Sequence, residues 1–135
     1  MNQNPNIPEG FRRNRPGKRG RQVGEIIAEL AKRGRVLLPD APEPCETCAF
    51  RESTFPNGCL GTTAMAFNCA LKGAADPFMC HEYVVDGVSQ RECAGWVLAK
   101  EAAASIPPGP VRDKMRLART MAAVEAMCGG DDAEE

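Results

Sequence analysis

The sequence predicts a small α+β fold with one β-hairpin, three to four short helices and a core stapled by a metal ion. Three observations support this prediction. Asp86-Gly87 lies between two short runs of β-forming residues, which is a strong hairpin signal because a type I′ turn needs positive φ at both central positions. Other segments carry apolar residues at helical spacing. Aromatic residues make up only 5% of the chain, beside seven cysteines, so a staple would add much to a thin core.

The hairpin is predicted over about 78–93. With Asp86-Gly87 at the turn, Cys80 falls opposite Cys93 at a non-hydrogen-bonded pair, where Cα atoms lie about 4.5 Å apart and both side chains share a face. Two sulfurs at that distance form either a disulfide or half of a metal site. We interpret them as half of a metal site.

Residues 1–21 are predicted to form a disordered basic arm, because they are rich in Pro and Gly and poor in apolar groups. Residues 1–38 carry nine Lys/Arg and three Glu, whereas 39–98 carry three Lys/Arg and eight Asp/Glu. The arm suits phosphate binding on DNA or RNA, and a solubilising tail is the alternative. The candidate nucleic-acid-binding residues are Arg12, Arg13, Arg15, Lys18, Arg19 and Arg21.

An amphipathic helix is predicted within residues 22–38. Apolar side chains recur there at i, i+3, i+4, i+7 and i+8, beginning at Val23, and Pro39 ends the pattern. The apolar stripe is expected to pack on the core. The proline-rich segment 39–44 is a rigid linker to the first cysteine.

Residues 39–98 are predicted to form a cysteine-rich core that binds a metal. Cys45 and Cys48 have the spacing that chelates one metal ion through a tight turn. Joined to the hairpin pair, they give four candidate ligands, Cys45, Cys48, Cys80 and Cys93. Four thiolates suit structural Zn²⁺, and the same set also suits a [4Fe–4S] cluster.

Three further residues are possible extra ligands, namely Cys59, Cys69 and His81. A buried free cysteine usually behaves as a small apolar residue. His81 directly follows Cys80, so in a strand its side chain would point to the opposite face. None of the three is therefore expected in the main site.

Residues 99–130 are predicted to contain two helices, separated by the proline-rich segment 107–110. Residues 131–135 are predicted to form an acidic tail. The first helix is expected to start near Val97, and the second spans 111–127. The second helix has two adjacent stripes, and core packing is the expected use, with a partner groove as the alternative for the methionine-bearing face. The bulkier stripe contains Leu117, Met121, Val124 and Cys128, and the other contains Val111, Met115, Ala118 and Ala122.

Three blocks of the cysteine-rich core resemble sequence blocks in a group of small, uncharacterised phage and bacterial cysteine-motif proteins. The blocks are Cys45-x-x-Cys48-Ala-Phe-Arg51, Phe78-Met-Cys80-His81 and Cys93-Ala-Gly-Trp96. The resemblance covers about residues 44–97. It implies that the four matching cysteines form a shared site and that Cys59, Cys69 and Cys128 are not required for it. It implies no particular activity.

The expected function is a small Cys₄ metal-binding module, of a phage accessory or regulatory type, that contacts nucleic acid or the transcription machinery through its basic arm. One alternative is a redox-responsive [4Fe–4S] protein, and another is a structural or partner-binding module without nucleic-acid contact. No enzyme is expected, since no base is placed beside a candidate thiol. The absence of a long apolar run and of a signal-peptide pattern predicts a cytoplasmic protein, in a bacterial host cell if phage-encoded.

Overall fold

The computed structural model describes residues 15–72, 77–80, 82 and 84–127. Within these ranges the chain has five helices and one two-stranded antiparallel hairpin, which confirms the small α+β fold. In chain order the elements are α1 (Lys18–Leu37), α2 (Phe55–Gly58), α3 (Leu60–Lys72), β1 (Val84–Val85), β2 (Val88–Ser89), α4 (Ala94–Ser105) and α5 (Pro110–Met127). None of these helices is long and apolar enough to cross a membrane.

Helix α1 begins at Lys18, four residues earlier than the sequence pattern predicts, so the end of the expected basic arm is helical. The residues before it are tied down as well: Pro16 pairs with Cys59, and the Gly17 amide donates to the Gly58 carbonyl. A Cβ on Gly20 would lie 1.9 Å from that same carbonyl oxygen. Tertiary contact, which local composition does not reveal, therefore extends the helix.

The core lies between α1, α3 and α4, which pack on one another. Its largest fully buried side chains include Trp96, Phe50 and Phe67. At the far end of α1, a Cβ on Gly34 would lie 1.9 Å from the Leu98 carbonyl oxygen, so α1 and α4 approach backbone to backbone. Small residues thus compensate for the shortage of large aromatic ones.

The hairpin has the predicted turn but a different register further out. Val85 pairs with Val88, as expected, and Asp86 and Gly87 have φ of 53° and 79°. Beyond the strands, Met79 pairs with Glu92, a shift of two residues. The predicted Cys80–Cys93 pairing is therefore wrong.

Between these two pairings, the chain before the turn is two residues longer than the chain after it. The Cys80 amide donates to the Arg91 carbonyl, and the Cys93 amide donates to the Phe78 carbonyl. Since the shift is an even number of residues, Cys80 and Cys93 stay on one face as diagonal neighbours.

Helix α5 packs on α3 through only one of its two predicted stripes. Ala122 is buried, and Met115 and Ala118 pack against the core. Leu117, Met121 and Val124 are 62%, 55% and 53% exposed. The prediction of core packing is wrong for these three residues, because Ala118 and Ala122 of the other stripe allow a closer approach to α3. It is also wrong for Val111 of that other stripe, which is 62% exposed. Cys128 and the acidic tail lie outside the described residues.

Candidate metal centre

The structure places the four predicted cysteine ligands in one region of the fold, with two of the thiols in contact. The sulfur atoms of Cys48 and Cys93 are 3.3 Å apart. This is far longer than the 2.05 Å of a disulfide, and all four cysteines are free. Besides burial, the thiols of Cys48 and Cys80 both raise the pKa of the Cys45 thiol, so all three groups lie near one another. Thus the loop after the proline linker, the hairpin and the start of α4 meet at four sulfur atoms.

Backbone N–H groups point at two of these sulfurs. The Phe50 amide donates to Cys48 Sγ at 3.4 Å, and the Gly95 amide also donates to this sulfur. Cys93 is the residue that precedes α4, and its sulfur accepts from the amides of Gly95 and Trp96. The free N–H groups at the start of a helix favour negative charge, so these amides act to lower the pKa values of Cys48 and Cys93.

The thiol pKa values reflect this crowding. The hydrogen bond from Cys93 lowers the pKa of Cys48 to about 7, with help from the two backbone amides and the charge of Arg51, although burial acts in the opposite direction. The pKa of Cys93 is raised, mainly because its thiol donates that hydrogen bond, and burial adds to the increase. Burial, followed by the neighbouring thiols of Cys48 and Cys80, raises the pKa of Cys45 to about 11. Without a cation, Cys48 therefore loses its proton more readily than an ordinary thiol, whereas Cys45 and Cys93 hold theirs more tightly.

The loop that carries Cys45 and Cys48 is fixed by side chains on both sides of it. Two successive turns shape it, with the Cys48 amide donating to the Cys45 carbonyl and the Arg51 amide donating to the Cys48 carbonyl. Thr54 Oγ1 donates to the Cys48 carbonyl at 2.8 Å. Buried Asn57 donates from Nδ2 to the carbonyls of Ala49 and Gly24, at 2.7 and 3.0 Å, and so ties the loop to α1.

Sequence reasoning did not identify the supporting roles of Thr54 and Asn57. A partial signal is present, because Thr54 precedes a proline at a helix start and caps α2 by accepting a hydrogen bond from the Asn57 amide. Thr is common at this capping position. The link from Asn57 to α1 depends on tertiary structure and leaves no local pattern.

The side chain of Trp96 anchors the core next to the cluster. It is 1% exposed and packs in the same hydrophobic cluster as Cys48 and Cys93. Its Nε1 donates to the Cys69 carbonyl at 3.3 Å. The ring of Phe50 meets that of Phe78 edge to face, with centroids 5.7 Å apart. Aromatic side chains thus limit access of water to the sulfurs.

The possible extra ligands are not brought into the thiol cluster. Cys59 Sγ donates to the Phe55 carbonyl at 3.4 Å, within the α2 turn. Cys69 lies on α3 and is buried. Neither is among the groups that shift the pKa values of Cys45, Cys48 and Cys93. His81 lies outside the described residues.

The geometry is not a closed metal site. Among the residues that the structure describes, no three His, Cys, Asp or Glu side chains are arranged so that they could hold one metal ion together. The donor chemistry nevertheless fits zinc, since four thiols converge with amide donors aimed at two of them. Metal binding would have to bring the Cys45 and Cys80 sulfurs closer to the Cys48–Cys93 pair.

The predicted nucleic-acid-binding residues fall into two groups. Arg12 and Arg13 lie outside the described residues. Arg15, Lys18 and Arg21 are exposed at or near the start of α1. Arg19 forms an ion pair with Glu125 of α5, so it also has a structural role.

Comparison with protein-family models, curated proteins and solved structures finds no match for this chain. The resemblance to cysteine-motif proteins of phages and bacteria therefore stays a prediction.

Proposed function

We propose that this protein is a small metal-binding module in which Cys45, Cys48, Cys80 and Cys93 hold one Zn²⁺ ion. The supporting observation is the convergence of their four thiols from three separate segments, with the Cys48 and Cys93 sulfurs 3.3 Å apart. The ion would join the loop at 45–48 to the hairpin and to the start of α4. Such a role is structural, because four cysteine ligands leave no open position for a substrate.

The sulfur separation favours a single ion over a [4Fe–4S] cluster. Four sulfurs placed tetrahedrally at 2.3 Å from zinc lie about 3.8 Å from one another. A [4Fe–4S] cluster binds each cysteine through a different iron atom, which keeps the cysteine sulfurs well apart. The 3.3 Å contact between Cys48 and Cys93 is close to the first arrangement.

The test is metal analysis together with a visible absorption spectrum, on protein purified without oxygen. We expect about one zinc per chain and no colour in the wild type, and loss of zinc in Cys93→Ser. Cys59→Ser is the matched control, because it removes a buried thiol outside the cluster, and it should retain the metal. About four irons per chain with a brown colour would favour the cluster. Protein without any metal would refute the proposal.

We further propose that the exposed basic residues at the start of α1 contact the phosphates of DNA or RNA. Arg15, Lys18 and Arg21 lie close together in sequence on this exposed segment, and the first turn of α1 contains no acidic residue. Attraction to phosphates would make binding weaken steeply as salt concentration increases.

The corresponding experiment measures the affinity for duplex DNA and duplex RNA over a range of salt concentrations. Lys18→Glu with Arg21→Glu should weaken binding and flatten the salt dependence. Lys32→Glu, an exposed change near the other end of α1, serves as the control. If the wild type does not bind either duplex at low salt, the alternative of a module that contacts only proteins is favoured. A phage origin and a bacterial cytoplasmic location remain predictions.

A further inference from the structure

Helix α5 exposes a continuous apolar stripe that the metal centre does not use. Leu117, Met121 and Val124 are each more than half exposed. With Pro110 and Lys114 they are spaced alternately by four and three residues, as are the a and d positions of a coiled coil. The side of α5 that packs on the protein contains Met115, Ala118 and Ala122. The stripe therefore lies beside the packed side and is open to a partner.

We propose that this stripe is a self-association surface, through which two copies of the chain pair their α5 helices in antiparallel orientation. In such a pair the a position of one helix meets the d position of the other. Leu117 would pack against the partner's Met121, and Met121 against the partner's Leu117. A two-fold axis between these residues makes the stripe complementary to itself, as a symmetric dimer requires.

Charge selects the antiparallel orientation. Lys114 occupies one of the positions on the stripe. In a parallel pair its ammonium group would face the same group of the partner, which is unfavourable. In the antiparallel pair it lies over the partner's Val124 and next to the partner's Glu125. The Glu125 carboxylate already pairs with Arg19 of its own chain, and a carboxylate can accept bonds from two cations.

The size of the surface indicates a weak dimer. An 18-residue helix is about 27 Å long, and one face of it buries less than the about 1,200 Å² at which stable interfaces begin. We therefore expect dimerisation to depend on concentration, with monomer predominating in dilute solution.

The experiment is sedimentation equilibrium of the full chain from about 10 µM to 1 mM. The wild type should shift from monomer towards dimer, and Leu117→Asp should abolish the shift. Val36→Asp is the matched control, since Val36 is an apolar residue of α1 that is 79% exposed, and it should dimerise like the wild type. All of these changes are at exposed positions, and circular dichroism checks that the helices are retained.

Charge reversal then tests the orientation. Lys114→Glu and Glu125→Lys should each weaken the antiparallel dimer about tenfold, because each creates two like-charge contacts. An equimolar mixture of the two variants should recover association, since the heterodimer has two opposite-charge contacts. In a parallel dimer the single variants would associate like the wild type, which would contradict the proposed orientation.

Two results would overturn the proposal. One is a wild type that remains monomeric at 1 mM, in which case the stripe serves a different partner. The other is a dimer that Leu117→Asp leaves unchanged. The measurement is independent of the metal assignment, because none of the four cysteines lies on α5.

Discussion

At the scale of single residues, Gly95 controls how closely α4 approaches the thiols. A Cβ at this position would lie 2.8 Å from Cys48 Sγ and 2.5 Å from Phe50 Cβ. Gly95→Ala should therefore push the start of α4 away from Cys48 and weaken the backbone hydrogen bond to its sulfur. Changes next to metal ligands typically cost about 10- to 100-fold in metal affinity. We expect a loss of that size in zinc affinity, measured by competition with a chromophoric chelator.

The control for Gly95→Ala is Ala104→Gly, a change of one methyl group at an exposed position of the same helix. It should lower the free energy of unfolding by about 0.5–1 kcal/mol and leave zinc affinity unchanged. Equal zinc affinity in wild type and Gly95→Ala would show that Gly95 does not position the cluster.

The residues of the cluster were predictable from sequence, but the residues that support it were only partly so. The Cys-x-x-Cys spacing and the hairpin signal predict Cys45, Cys48, Cys80 and Cys93 as one set, and the structure places them in one region although the Cys80–Cys93 register is different. The hydrogen bonds from Asn57 to α1 and to the Ala49 carbonyl join segments that are far apart in sequence. No local pattern encodes such contacts.

At the scale of elements, the hairpin shows where local rules stop applying. The turn at Asp86-Gly87 is determined by backbone conformation, and the pairing of Val85 with Val88 follows from it. Further out, Ser89 Oγ donates to the carbonyl of Cys80 at 2.5 Å, and the strands resume pairing two residues out of step. Because an even shift keeps side chains on the same face, the predicted ligand set remains together although the predicted register is wrong.

Helix α5 gives a similar lesson. Its periodicity predicted a helix over 111–127, and the structure has one over Pro110–Met127. Periodicity alone predicted core packing for both stripes and did not rank them. In the structure, the side of α5 that contains Ala118 and Ala122 packs on the protein. The spacing of residues within α5 does not predict which side fits the surface of α3.

Arg35, on the last turn of α1, fixes the linker that leads to Cys45. Its guanidinium is within hydrogen-bonding distance of four carbonyl oxygens, those of Leu38, Pro39, Ala41 and Pro42. A lysine cannot reproduce this planar set of donors. Arg35→Lys should therefore lower the free energy of unfolding by about 1–3 kcal/mol, measured by urea denaturation.

The matched control is Arg33→Lys on the same helix. Arg33 forms an exposed ion pair with Glu29, and such pairs contribute at most about 1 kcal/mol. A decrease of equal size in the two variants would mean that the carbonyl contacts of Arg35 add nothing to stability.

At the scale of the whole molecule, the four cysteines link segments that otherwise share few large side chains. Many of the buried residues are alanine or cysteine, which bury little apolar area each. A bound ion would stabilise the folded chain by mass action, because the unfolded chain lacks a preformed site. The stability of the protein should therefore depend on zinc and, through the thiols, on pH.

The direction of the pH effect follows from proton counts. With zinc bound as proposed, the four sulfurs would be thiolates, whereas in the unfolded chain thiols keep their protons below the ordinary cysteine pKa of 9.0. The unfolded chain binds more protons, so stability should decrease as pH falls. Without zinc, the lowered pKa of Cys48, about 7, contributes stability above pH 9 that is lost as pH falls through 7. The raised pKa values of Cys45 and Cys93 contribute in the opposite direction.

Thermal denaturation between pH 8 and pH 5.5 distinguishes the zinc-bound protein from the zinc-free protein. With zinc, the midpoint temperature should fall steeply across this range, since protons compete for every ligand. With a chelator, it should be lower at pH 8 and change much less, because only the lowered pKa of Cys48 then makes the folded and unfolded chains differ in bound protons within this range. Cys93→Ser, with or without zinc, should behave like the chelated wild type. Equal pH dependence with and without zinc would show that the thiols do not stabilise the fold through a metal ion.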